Sequence, residues 1–130
     1  MKLRPLTRDD VVAEWDWLRA GILKCIEKTR SRYRPEDVYT RLVTNTAWCY
    51  AVDGGALVLT QEYDHDGLVI FVWCLFGESI AEQKDEIYAE LEKLGREAKA
   101  KRIRMQSPRE GWERERFFDR VAVVYERELI

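Results

Sequence analysis

The chain has 130 residues, 46% of them hydrophobic and 35% charged, with a formal net charge of -2. That is the length of one domain with enough apolar residues to bury a core, and the mild acidity argues against a general nucleic-acid binder, which carries a basic excess. The longest apolar run, Leu68–Phe76, has nine residues, too few to cross a membrane, and no hydrophobic leader follows Met1, so a cytoplasmic protein is expected.

"KLRPL" (2–6) reads as a short opening strand, with Pro5 suited to a sheet edge. Thr7 caps a helix, with Asp10 as its capping-box partner. Val12, Trp15, Leu18, Ile22 and Ile26 step by three and four, which predicts one helix with a single inward stripe. "EKTRSRYR" (27–34) is a polar basic connection. Its alternation of Arg30, Arg32 and Arg34 with Tyr33 is the pattern of a nucleic-acid contact, but a lone loop in an acidic chain reads first as solvated surface. Pro35, Glu36 and Asp37 make the first turn of a second helix, with Val38 and Leu42 inward.

Three strands follow. "AWCYAV" (47–52) ends at Asp53-Gly54, a type I′ hairpin signal. "ALVLTQEY" (56–63) ends at the tight turn "DHDG" (64–67). "LVIFVWCLF" (68–76) is apolar on both faces and is expected at the centre of the sheet. Strict alternation puts Ile70, Val72 and Cys74 on one face and Val69, Phe71, Trp73 and Leu75 on the other. Ser79–Ala98 is a long amphipathic helix, acidic early and basic late, with Ile80, Ile87, Leu91, Leu94 and Ala98 on its inner face. "RIRMQ" (102–106) is a strand, and "SPRE" (107–110) carries a complete capping box, with Ser107 as the cap of a short helix holding Trp112 and Phe118. "VAVVYERELI" (121–130) is the closing strand. The expected order is β-α-α-β-β-β-α-β-α-β, a single α/β domain over 1–130 whose mixed sheet is flanked by helices.

Three cysteines, Cys25, Cys49 and Cys74, form neither a metal pair nor a disulfide framework and read as buried thiols. Glu62, Asp64, His65 and Asp66 cluster along the second hairpin, but residues of a tight turn point apart, so a solvated tip is expected and no metal. Glu62 and His65 are the candidate general bases.

This order of elements, with the opening "LRPLTRDD", resembles the GNAT acetyltransferase superfamily. The stretch "KRIRMQSPREGWERERFF" and its terminal strand resemble the small GNAT-like proteins of tailed phages, which implies a cytoplasmic or virion-associated protein. The resemblance implies acetyl-CoA held by a glycine-rich, basic loop after the fourth strand. Here that loop reads "FGESIAEQ", so Leu75, Phe76, Gly77 and Ser79 are the implied coenzyme residues. It contains one glycine, no base ahead of the helix, and Glu78 where phosphate must approach. On that count Glu78 and Ser79 are expected to cap the helix themselves. The resemblance then implies a degenerate coenzyme site and a role in binding or assembly through a protein partner or self-association. The alternative is an acetyl-CoA-dependent N-acetyltransferase with an atypical phosphate loop. The family's proton-donating tyrosine falls on Phe117 or Phe118, leaving Tyr125 on the closing strand as donor and Glu62 as base.

Overall fold

The computed structural model describes residues 3–106, 117–122 and 124–129. Along them run β1 (Arg4–Leu6), α1 (Arg8–Ala13), α2 (Trp15–Thr29), α3 (Pro35–Val43), β2 (Trp48–Val52), β3 (Gly55–Asp64), β4 (Gly67–Gly77), α4 (Ile80–Glu97) and β5 (Arg102–Met105). The strands form one sheet in the order β1-β2-β3-β4-β5. β1 to β4 are antiparallel neighbours, and β5 joins β4 in parallel. That last step needs the α4 crossover, because a parallel neighbour cannot be reached by a tight turn.

Three expectations are corrected. The single first helix is two: the Thr7–Asp10 capping box starts α1, but the backbone turns at Glu14 (φ -103°, ψ 14°) before α2 begins. The turn brings Val11 inward and leaves Val12 51% exposed, while Trp15 packs edge-on against Tyr39 of α3 at 4.7 Å between ring centroids. The Asp53-Gly54 turn joins β2 to β3, yet only Gly54 takes a positive φ (76°), so it is not the type I′ turn, which needs both.

The third correction is the closing strand: residues 121, 122 and 124–129 lie in no strand, and Val121, Val124, Tyr125 and Leu129 are exposed. The glutamates of that run meet Arg32 instead of a ladder, Glu126 at 2.8 Å and Glu128 beside it. Upstream, Phe117 and Phe118 pack on Tyr88 of α4. The short helix, with Ser107 and Trp112, lies outside the described residues.

The core has two layers, one on each face of the sheet. Leu18, Ile22, Cys25 and Ile26 of α2 and Val38 and Leu42 of α3 cover Cys49, Ala56, Val58 and Cys74 on one face. Ile87, Tyr88 and Leu91 of α4 cover Leu57, Leu59, Ile70 and Val72 on the other. β4 lies fourth of the five strands, beside the edge strand β5, and the expected central place belongs to β3; both faces of β4 are nonetheless covered, as nine consecutive apolar residues require. No helix among the described residues is long and apolar enough to cross a membrane.

Candidate active site

The regular alternation expected of β4 fails in its middle. Val58 of β3 faces Cys74 while Leu59 faces Val72, so Trp73 is an extra residue and the strand bulges there. Beyond the bulge the faces exchange. Leu75 joins Ile70 and Val72 on the α4 side, and Cys74 goes to the α2 side. Phe71, expected in the core, is only half-buried and belongs to neither layer.

The same point ends the pairing with β5. The last parallel partners are Val72 and Met105, so Trp73–Gly77 keeps β3 on one side and, among the described residues, has no strand on the other. An interior strand with an open edge can receive an extended, amide-bearing ligand as though it were another strand.

The bulge is braced from the α2 side. The Tyr33 ring lies 5.1 Å from that of Trp73, and the Arg41 guanidinium sits 5.2 Å over Trp73. Tyr33 Oη is 3.4 Å from Cys74 Sγ, and burial pushes the Tyr33 phenol above its ordinary range. Interaction with the neighbouring Cys74 thiol holds Cys25 below the usual thiol range, and the same interaction together with burial drives Cys74 above it. Tyr33, from the basic run, is thus committed to this packing.

At the end of β4 the backbones of two turns touch. Gly77 has φ 153°, and a side chain there would lie 3.0 Å from Gly54 O and Gly55 Cα. A Cβ on Gly55 would fall 1.8 Å from Phe76 O. The chain then enters α4. Ser79 occupies the N-cap position, but its side chain makes no capping hydrogen bond. The first backbone bond there is Gln83 N–H to Ser79 O at 3.2 Å. Ser79 therefore leaves the helix's leading N–H groups unfilled, contrary to the capping expected of it. Unfilled donors at the positive end of an 18-residue helix suit an anion, while Glu78 and Glu82 put carboxylates at the same end. A coenzyme phosphate fits the backbone here and finds no support from side-chain charge.

Leu75, Phe76, Gly77 and Ser79 line this junction, and Glu62 stands away from it. Glu62 pairs with Val69 near the opposite end of β4, roughly 25 Å of strand from Gly77 at about 3.3 Å per residue. There Arg104 donates to Glu62 at 3.2 Å and to Asp64 at 2.8 Å, and Arg102 reaches Asp66 at 2.6 Å. These guanidinium hydrogen bonds hold Asp64 and Asp66 below the ordinary carboxylate range. Tyr125 is 90% exposed. The residues missed from sequence are Trp73, Tyr33 and Gln83. An unbroken apolar run hides a bulge, and no local signal marks a tyrosine forty residues away as its brace.

By sequence the chain matches no protein-family model and no curated protein. Its structure is similar to that of an aminoglycoside acetyltransferase from an uncultured soil metagenomic sample, solved in complex with sisomicin (TM-score 0.67, 12% identity, covering 99% of this chain and 96% of that one). It is also similar to a probable acetyltransferase (TM-score 0.65, 14% identity, 98% of this chain and 100% of that one). A third is a ribosomal-protein-alanine N-acetyltransferase from Brucella melitensis biovar Abortus 2308 (TM-score 0.58, 12% identity, 99% and 96%). With one five-stranded mixed sheet and helices on both of its faces, the chain has the fold of the GNAT acetyltransferases.

Proposed function

We propose that the protein is an acetyl-CoA-dependent N-acetyltransferase with a backbone-built phosphate site. The observation that carries this reading is the edge of Trp73–Gly77, unpaired on one side among the described residues, running into an α4 start that Ser79 does not cap. Bound there, acetyl-CoA supplies an activated acyl thioester. The strand edge at Leu75 and Phe76 orients the coenzyme's amide-bearing arm, and the N–H groups after Gly77, from Ser79 on, hold its phosphates. Trp73, braced by Tyr33, shields the reacting end from water. Glu62, engaged by Arg104 at the other end of the strand, is too distant to serve as the base.

A second reading, the same fold kept for binding or assembly without coenzyme, draws on Glu78 and Glu82 at the phosphate end. Thermal melting with acetyl-CoA separates the two. A hundredfold excess over the dissociation constant stabilises a binder by about 2.7 kcal/mol, which is several degrees for a domain of this size. No shift at millimolar acetyl-CoA refutes the enzyme and leaves the binding role.

A further inference from the structure

Gln83 is 8% exposed in the first turn of α4. Its Nε2 donates to Asp53 O at 2.8 Å and to Ser79 O at 3.0 Å. Its Oε1 is buried and has no hydrogen-bond partner among the described residues. Turning the amide over would set that oxygen against two carbonyls, so the two bonds fix the orientation. A buried acceptor without a donor costs stability, and an aliphatic side chain of the same length would fill the space without that cost. What Gln83 alone supplies is the bridge. Asp53 belongs to the β2–β3 turn and Ser79 begins α4. The two segments meet where the backbones of Gly54, Gly55 and Gly77 touch.

We infer that Gln83 is a positioning residue that ties the start of α4 to the β2–β3 turn. It thereby sets where the leading N–H groups of the helix stand relative to the open edge of β4. The inference rests on the coenzyme binding proposed above for its functional consequence, and on the two hydrogen bonds for its structural one. Gln83 touches no reacting atom; it acts through the backbone amides of 79–82.

Gln83→Met tests it, read by melting temperature, by amide exchange and by acetyl-CoA titration. The melting temperature is expected to stay level or rise, since the orphaned oxygen is gone. The backbone amide at position 83, which donates to Ser79 O, is expected to exchange faster. The dissociation constant for acetyl-CoA is expected to rise about three- to tenfold, the loss of one net hydrogen bond. Gln83→Glu adds a readout that mere packing would not move. Its buried carboxyl donates to Asp53 O only when protonated, so exchange at position 83, taken relative to wild type at each pH, should match wild type at acid pH and speed up as the group ionises. Unchanged exchange in Gln83→Met, or a clear drop in its melting temperature, overturns the inference. Faster exchange in the variant with no acetyl-CoA binding by the wild type refutes the proposed enzyme and leaves the positioning role standing.

Discussion

Gly77 and Glu78 are adjacent and pull the site in different ways. Gly77 holds φ 153° with Gly54 O and Gly55 Cα 3.0 Å from where a side chain would begin. An alanine there meets both backbone strain and a contact that cannot retreat, since the neighbours are themselves main chain. Gly77→Ala is expected to cost about 1–3 kcal/mol in urea unfolding, and a variant as stable as wild type would show that the junction is looser than described. Glu78 instead acts through charge. Its carboxylate shares the positive end of α4 with any incoming phosphate, an interaction of about 0.3–1 kcal/mol at a helix end. Glu78→Gln is therefore expected to tighten acetyl-CoA about two- to fivefold, most clearly at low ionic strength. Weaker binding in that variant would place the phosphates elsewhere.

At the scale of elements, burial separates residues that sequence reading treats alike. Leu91 of α4 is 1% exposed and packs in the layer with Leu57, Leu59 and Val72. Leu91→Ala is expected to cost about 2–5 kcal/mol through lost transfer energy and a cavity. Phe71→Ala is expected to cost well under the roughly 3–5 kcal/mol of a core phenylalanine, because Phe71 stands outside both layers. Paired urea titrations give the ranking, and a reversal of the two would mean that the faces are misassigned. The elements themselves were legible: the Thr7 cap, Pro35 at the start of α3, the two tight turns and the stripe of α4 all act within a few residues. The Trp73 bulge was not, because period-two reading has nothing to register when every residue is apolar. The start of α4 was misread for a related reason. Ser79 has the identity of a cap, but with φ -110° and ψ 22° its side chain makes no capping bond. The closing strand had the composition of a strand, and composition cannot say that Arg32 meets Glu126.

Across the whole molecule, β5 pairs with β4 over Val69–Val72, and no described strand continues beside Trp73–Gly77. The joined end carries a ladder of charge: Arg102 on Asp64 and Asp66, Arg104 on Glu62 and Asp64. Both arginines reach across β4 to the β3–β4 hairpin. The ladder thus fastens β5 to the hairpin end of the sheet. Individual exposed pairs contribute little, but four contacts sharing two guanidinium groups act together. Asp64 and Asp66 are held below the ordinary carboxylate range by these arginines. Their folded-state values lie under the unfolded value of about 3.9, so the stability they contribute is present above that pH. It is lost as pH falls through the folded values. Arg104→Met should accordingly melt below wild type at neutral pH, by a margin constant down to about pH 5 that shrinks below about pH 4. High salt should narrow the same margin. If the gap between the two proteins persisted undiminished at pH 2–3, the arginine would be holding β5 by the packing of its stem, and the attachment of β5 would owe nothing to charge.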